Sequence, residues 1–303
     1  MSAEGAAREA PAQGAGLHAL DHVIVLVSEL EAATRDAARL LGRTPSWRGE
    51  HPGQGTANAL FRLENTYLEL LAPVGPGALA DQLRARLARA GEGPLGFALA
   101  TADADACAAA LRARGLAVPD PAPGIGRDEP SGAWRRWRSF LLPERATRGV
   151  PVLVIEHLSP PELLPPAQPL EAEGAAVAAL DHLVVRSEAP EAAIALFRDT
   201  LGLRLALDRS FEAWGARLLF FRVGGVTVEV AAPLEPPAAP SDTDSFWGLS
   251  WRVPDLDAAH ARLVACGFDV SEIRAGRKPG TRVCTVRAPT HGVATLLIQP
   301  TPR

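Results

Sequence analysis

The feature that most constrains this chain is an internal repeat. Residues 19–22, Ala-Leu-Asp-His, recur as residues 179–182, an offset of 160 positions. The same offset relates Ala72-Pro73 to Ala232-Pro233, so no insertion is needed over about 55 residues. Chance rarely produces such an agreement, and a fixed period of this kind indicates repeated structural units. The chain is therefore predicted to fold from two similar halves.

The repeat also predicts the domain boundaries. The second part of each half repeats at slightly smaller offsets, because residues 96–116 resemble residues 248–268. A segment rich in Pro, Ala and Glu separates the halves and is predicted to link them. The predicted parts are a flexible N-terminus (1–17), domain 1 (18–160, with modules 18–74 and 94–160), a linker (161–176) and domain 2 (177–303, with modules 177–234 and 246–300).

Each module has the pattern of one strand, one helix and three strands. The first begins with a β-branched apolar run after His22, which is typical of a strand. Ser28 and Glu31 have the spacing of a capping box, and Gly42 is predicted to end the helix that follows. An additional helix is predicted at Ala78–Ala90. We expect an α+β fold of four βαβββ modules, with curved mixed sheets forming cups and helices outside.

Composition excludes several classes of function. The net charge of −4 and the pI near 6.0 argue against a nucleic-acid partner or an acidic membrane surface. Three cysteines without a CxxC spacing argue against a disulfide framework or a thiolate zinc site. No apolar run is long enough for a membrane helix, and the first residues lack a secretory pattern, so a cytoplasmic location is expected. The glycine motifs of nucleotide-binding loops are missing, so no nucleotide cofactor is expected.

The motifs shared by the halves resemble a known superfamily. A Leu-Asp-His opening strand, a Leu-Gly helix end and a strand Glu followed by Ala-Pro are similar to vicinal oxygen chelate proteins, over about residues 18–300. Residues 51–58 together with residues 67–70 resemble a glyoxalase-like subfamily in particular. The resemblance implies cups that hold a divalent metal (Fe, Mn, Ni, Co or Zn) and bind a substrate through two adjacent oxygens.

Carried over residue by residue, the resemblance marks two metal-binding pairs. His22 and Glu69 match the first-strand and last-strand ligand positions of one cup, and His182 and Glu229 match them in the other. Either glutamate could also transfer a proton, so Glu69 and Glu229 are the catalytic candidates. The partner modules depart from the pattern: their equivalent positions hold poor ligands, namely Ala98, Leu153, Ser250 and Leu296. Whether neighbouring modules, or the first and third, pair to form a cup stays open.

Two further groups are predicted to bind substrate. The segment from His51 to Asn58, with its Pro and two Gly, is predicted to be a loop that presents His51, Thr56 and Asn58 to the cup. A basic turn is predicted to clamp an anion in the second cup through Arg277, Lys278 and Arg282. The run Trp134–Arg138 could bind a planar anion, but a strand with buried Trp and solvated Arg is the favoured interpretation.

Three functional hypotheses follow. The first is a metal-dependent lyase or isomerase of the glyoxalase type, acting on a small organic substrate with adjacent oxygens. The second is a metal-free protein of the same fold that binds or sequesters small molecules. The third, an extradiol-type dioxygenase, is disfavoured because a triad of two His and one carboxylate is incomplete. A small-molecule ligand is the expected partner, and the sequence leaves the choice between monomer and homodimer open.

Overall fold

The computed structural model describes residues 15–235, 237–239 and 241–300. Most of the predicted flexible N-terminus lies outside these residues, and the first strand begins at Leu17. Domain 1 consists of β1 (Leu17–Leu26), α1 (Leu30–Leu41), β2 (Trp47–His51), β3 (Thr56–Arg62), β4 (Tyr67–Pro73), α2 (Ala78–Ala90), β5 (Gly93–Thr101), α3 (Ala104–Ala113), β6 (Ala122–Asp128), β7 (Trp134–Leu141) and β8 (Val152–His157).

Domain 2 repeats this order with local changes. Its first helix is short and continues as a π-helical segment over Ala195–Thr200. Its elements are β9 (Ala179–Arg186), α4 (Pro190–Ile194), β10 (Arg204–Phe211), β11 (Ala216–Val223), β12 (Val226–Pro233), β13 (Ser245–Arg252), α5 (Leu256–Ala265), β14 (Asp269–Val270), β15 (Arg274–Ala275), β16 (Thr281–Ala288) and β17 (Ala294–Pro300). The α+β architecture of tandem βαβββ modules is confirmed.

Strand pairing shows which modules share a sheet. In domain 1 the strands close into a barrel in the order β1-β4-β3-β2-β6-β7-β8-β5. The two modules join where β1 pairs with β5, and closure comes from β2 against β6. In domain 2, β9 pairs with β13, and the nine-stranded sheet stays open over the described residues. Neighbouring modules therefore pair, so the alternative of modules one and three is excluded.

Helices α1, α3, α4 and α5 lie outside both cups and pack between the two sheets. One apolar cluster contains buried residues of α1, α3, α4 and α5 together with strand residues of both domains. Phe97 and Phe246 meet in it edge to face, with ring centroids 5.9 Å apart. Burial of this much apolar surface is the main force that holds the domains together. None of the helices in the described ranges combines the length and apolar character that crossing a bilayer requires.

Two smaller apolar clusters border the interior of the domain 1 barrel. Helix α2 places Leu83 against Leu26 and Leu71 of the barrel strands. A second cluster joins Trp47, Leu60, Tyr67 and Leu164, so the linker contributes to the barrel. On β4, Leu71 of the first cluster and Tyr67 of the second are four residues apart. The barrel interior between them is therefore shielded from water on two sides.

Candidate metal and substrate site

The first candidate site is a His–Glu pair inside the domain 1 barrel. Strands β1 and β4 run parallel, with His22 opposite Tyr67 and Ile24 opposite Glu69. Alternate residues of a strand point to the same face, and His22 and Glu69 both point inward. Their Nε2 and Oε2 atoms are 3.4 Å apart, and both side chains are buried. The structure thus brings this predicted pair together.

Asp21 orients His22. Its Oδ1 atom is 2.6 Å from His22 Nδ1, and its Oδ2 atom is 2.9 Å from His157 Nε2. Burial alone would raise the pKa of the Asp21 carboxyl, but the hydrogen bonds from His157 and His22 outweigh it and hold that pKa well below its usual range. The ionised Asp21 accepts a hydrogen bond from Nδ1–H of His22, and Nε2 of His22 faces Glu69. Asp21 was not predicted to be a site residue, although an Asp precedes the candidate His in both repeats.

The predicted substrate residues of the 51–58 segment join the same network. Asn58 donates from Nδ2 to Glu69 Oε1 at 2.8 Å, and this nitrogen is 3.3 Å from His51 Nε2. His51 Nδ1 lies 2.9 Å from Thr56 Oγ1. Burial lowers the pKa of His51 against the opposing charge of Glu69, so a neutral His51 that donates to Thr56 satisfies these contacts. The predicted loop is shorter than expected, because Thr56 and Asn58 belong to β3.

The second pair, in domain 2, is built in the same way but is less enclosed. His182 Nε2 and Glu229 Oε2 are 3.6 Å apart, and the side chains are 20% and 16% exposed. Asp181 Oδ1 is 2.9 Å from His182 Nδ1. Burial raises the pKa of Glu229, opposed by the charges of His182 and Arg277. Ser250 lies opposite His182 on β13, and its buried hydroxyl has no partner among the described residues.

The three residues of the predicted basic clamp in domain 2 have different surroundings. Arg277 stacks on Trp214, with the guanidinium carbon 4.3 Å from the ring centroid, and its charge acts on Glu229. Lys278 is exposed, and its charge helps to lower the pKa of Asp181, against burial and after the larger effect of the His182 hydrogen bond.

Arg282 is not brought to the second pair. It binds both carboxylate oxygens of Asp257 on α5, each at 2.7 Å. Arg138 of domain 1 binds both oxygens of Asp105 on α3 in the same way. Since these two arginines connect a strand to the helix outside the cup, we assign Arg282 a structural role.

Arg135 is a further candidate residue, which was not predicted from the sequence. Trp134 is 45% exposed, whereas Arg135 is only 8% exposed. The interpretation of this strand as buried Trp and solvated Arg is therefore wrong at these two positions. The physical reason is the side of the sheet that each residue of β7 faces. Trp137 packs closely over Gly124, and a Cβ atom at Gly124 would lie 2.2 Å from the indole nitrogen. Glycines on the neighbouring strand were the available signal.

The geometry of each His–Glu pair is compatible with a divalent metal ion that takes only some of its ligands from the protein. An imidazole nitrogen and a carboxylate oxygen that bind one ion at about 2.0–2.2 Å lie roughly 3–3.5 Å apart in a tetrahedral shell, close to the 3.4 Å between His22 and Glu69. Within the described ranges, no three His, Cys, Asp or Glu side chains are placed to share a metal ion. Each pair would supply two ligands, with the other positions left for water or substrate oxygens.

Solved structures share this architecture. A mutant 4-hydroxymandelate synthase from Streptomyces coelicolor is similar with a TM-score of 0.69 and 14% identity, over 95% of this chain and 94% of that chain. A hypothetical protein from Staphylococcus aureus reaches 0.63 and 10% identity over 92% and 98%. An Mn(II)-bound glyoxalase from Novosphingobium aromaticivorans reaches 0.60 and 17% identity over 93% and 82%. At such low identities the likeness shows the fold alone.

Family models match both halves of the chain. The model described as a glyoxalase-like domain matches residues 20–179, more than half of the chain. A model of the glyoxalase/bleomycin resistance protein/dioxygenase superfamily matches residues 181–285. No curated protein matches the chain. With one match in each half and the fold described above, the chain belongs to the glyoxalase-like domain family of the vicinal oxygen chelate superfamily, with two such halves in tandem.

Proposed function

We propose that domain 1 is a metal-dependent lyase or isomerase for a small organic substrate with two adjacent oxygens. The observation that carries this proposal is the buried pair of His22 and Glu69, 3.4 Å apart and oriented by Asp21. Glu69 accepts a hydrogen bond from Asn58, but removing a carboxylate from water costs free energy even when it has a partner. Its retention inside a closed barrel favours a chemical role over a purely structural one.

Each residue of the cup has a role in this proposal. When bound, the metal ion would polarise the substrate oxygens as a Lewis acid. Glu69 takes a proton at a carboxylate oxygen from a substrate carbon and returns it to a neighbouring position. Asn58 orients Glu69 through its hydrogen bond to Oε1, and Asp21 maintains the His22 tautomer. The barrel limits the access of water, which strengthens these electrostatic interactions.

Domain 2 would be a second and weaker centre of the same kind. His182 and Glu229 repeat the pair, but they are more exposed, and among the residues that the structure describes Asp181 contacts the imidazole of His182 and no second one. The raised pKa of Glu229 favours its protonated form relative to an exposed glutamate, which lowers metal affinity because the ligand must be deprotonated. We therefore expect the pair in domain 1 to bind metal more tightly.

Metal analysis of protein purified without chelators tests this proposal. We expect up to two ions per chain, and loss of the tighter one in His22→Asn and in Glu69→Gln. His182→Asn should remove only the weaker ion, and His260→Asn, on α5, serves as the control that removes neither. The proposal fails if fewer than about one chain in ten carries metal and Mn²⁺, Ni²⁺ or Zn²⁺ added after EDTA treatment does not bind.

The metal-free binding protein is the second candidate. It is favoured by the observation that no group of three His, Cys, Asp or Glu in the described residues could share an ion. The same experiment distinguishes the two, because a binding protein would contain no metal and its ligand affinity would not respond to EDTA.

The dioxygenase hypothesis has less support. In each cup of the described structure the pair brings one His and one Glu, whereas ring cleavage uses two His and one carboxylate. We expect no oxygen uptake when the Fe²⁺-loaded protein is supplied with catechols.

A further inference from the structure

Arg135 on β7 is a largely buried cation that has no anionic partner among the described residues. It is 8% exposed, and no described residue accepts a hydrogen bond or forms an ion pair with its guanidinium. Its neighbours differ, because Arg136 is exposed and Arg138 binds Asp105 with two hydrogen bonds. Among the described residues, the buried side-chain atoms without a hydrogen bond do not include the guanidinium nitrogens of Arg135, so these nitrogens keep some contact with solvent. A cation that is in contact with solvent and has no anionic neighbour is placed to receive an anion.

The buried carboxylates of domain 1 are all engaged elsewhere. Asp21 accepts from His22 and His157, and Glu69 lies between His22 and Asn58. Both oxygens of the third, Asp128, bind the backbone of Arg48 and the turn at Ser131. Within the described structure, therefore, none of these three carboxylates pairs with Arg135, and an anionic ligand would complete its surroundings.

The position of Arg135 connects it to the candidate site. Its guanidinium carbon is 5.6 Å from the ring centroid of Trp47 and 5.7 Å from that of Tyr67. Tyr67 in turn stacks on His22, with ring centroids 4.5 Å apart and an interplanar angle of 18°. The charge of Arg135 is also among those that lower the pKa of His51, after burial. Arg135 thus faces the same interior as the His22–Glu69 pair.

A second unsatisfied group lies in this interior. The Oδ1 atom of Asn58 is buried and receives no hydrogen bond within the described residues. The Asn58 orientation is set by its Nδ2 contacts with Glu69 and His51. A buried acceptor without a donor destabilises the folded chain, and a ligand that donates to it would remove that penalty. The cup therefore presents one cationic fork and one open acceptor.

We propose that the domain 1 cup binds a small carboxylate that also carries a hydroxyl group. Arg135 pairs with the carboxylate through its planar fork of N–H donors, and the hydroxyl donates to Asn58 Oδ1. Trp47 and Tyr67 flank the guanidinium and hold it in place. This names the substrate class for the site proposed above, and it rests on that proposal for the location of the chemistry.

Three matched probes test it in protein treated with excess EDTA. Lactate carries both groups, propionate lacks the hydroxyl, and lactamide replaces the carboxylate by a neutral amide. We expect calorimetric titration to show lactate binding at least about tenfold more tightly than lactamide, with propionate between them. Arg135→Met should abolish the preference for lactate over lactamide, and Asn58→Leu should bring lactate to the level of propionate.

Arg136→Met is the control, because it removes an exposed arginine next to Arg135 and should leave binding unchanged. A preference for lactate over lactamide that survives in Arg135→Met, or wild-type protein that does not prefer lactate to lactamide, would overturn the proposal. Metal content is measured separately, so a metal-free chain with intact lactate preference would contradict only the proposed function.

Discussion

Asp21 accepts hydrogen bonds from two imidazoles with a single buried carboxylate. Its side chain is 10% exposed, and its two oxygens contact His22 and His157. The two contacts link β8, the last strand of domain 1, to β1, the first. Asp21 therefore both orients a candidate metal ligand and ties the two modules of the barrel together.

Replacement of Asp21 by Asn should weaken the fold. Asp21→Asn removes the charge that both imidazoles contact, and we expect the free energy of unfolding to fall by about 2–4 kcal/mol, measured by urea denaturation. Asp181→Asn is the matched control, because Asp181 is 25% exposed and, within the described ranges, contacts one imidazole, that of His182. Its loss should be smaller. Equal losses would show that the second imidazole contributes nothing.

At the scale of elements, the second-module helices begin in the same way. Asp103 accepts from Ala106 N at 2.9 Å to start α3, and Asp255 accepts from Ala258 N at 3.0 Å to start α5. The capping box predicted for α1 is wrong. The residue before α1 is Glu29, and its side chain makes no capping hydrogen bond. Ser28 instead donates from its backbone N and its Oγ to the carboxylate of Glu92. A contact between distant segments replaced the local one.

These caps make a quantitative prediction. Asp103→Ala and Asp255→Ala should each lower the free energy of unfolding by about 1 kcal/mol, because a backbone N–H of the first turn loses its acceptor. Glu29→Ala should change it by less than about 0.5 kcal/mol. Thermal and urea denaturation of the three variants checks the order, and a larger loss in Glu29→Ala would contradict it.

At the scale of the whole molecule, equivalent turns dock each domain onto the other. Arg148 of domain 1 binds Asp244 of domain 2 at 2.9 Å, and His291 of domain 2 binds Glu92 of domain 1 at 2.8 Å. Both Arg148 and His291 have a positive φ of 50°. The duplication therefore produces two related contacts across the interface, one with a permanent charge and one with a titratable group.

Glu92 makes the stability of the interface depend on pH. Burial would raise its pKa, but hydrogen bonds from Ser28 and His291 outweigh it and lower that pKa below the usual value. A carboxyl with a lowered pKa stabilises the fold above its unfolded pKa of about 4.3, and the contribution is lost as the pH falls through the folded value. Glu92→Gln should therefore cost about 1–2 kcal/mol at pH 7 and progressively less below about pH 4.

Glu64→Gln is the control for this pH effect. Glu64 also reaches across the interface, to Arg252 at 3.2 Å, but its side chain is 63% exposed. An exposed pair of this kind contributes less than about 1 kcal/mol. Denaturation curves from pH 3 to 7 compare the variants, and a pH-independent loss in Glu92→Gln would contradict the assignment.

The closeness of the two domains can be tested at one turn of domain 2 that lies against domain 1. In the turn between β11 and β12, both Gly224 and Gly225 have positive φ, so alanine is strained at either. A Cβ atom at Gly224 would lie 2.6 Å from the Ala19 backbone of domain 1, whereas one at Gly225 meets nothing within 4 Å. Gly225→Ala should cost about 1 kcal/mol, and Gly224→Ala more. Similar melting temperatures for the two would show that the interface yields.

Much of the fold was predictable because its evidence lies along the chain. The repeat indicated the duplicated halves, and α2 begins and ends as predicted, at Ala78 and Ala90. The pairing of His22 with Glu69 was predicted from the resemblance to vicinal oxygen chelate proteins, and the structure brings the two side chains together. Hydrophobic periodicity and repeated motifs are properties of nearby residues, so sequence alone determined the modules and their order.

Only the tertiary structure decided how those modules combine. The pairing of β1 with β5, the closure of one cup but not the other, and the contact between Asp21 and His157 all join residues far apart in the chain. The inward direction of Arg135 depends on how β7 packs against its neighbours. Register and closure are set by the packing of whole sheets, which no single segment encodes, and the two unsatisfied groups of the cup became visible only through that packing.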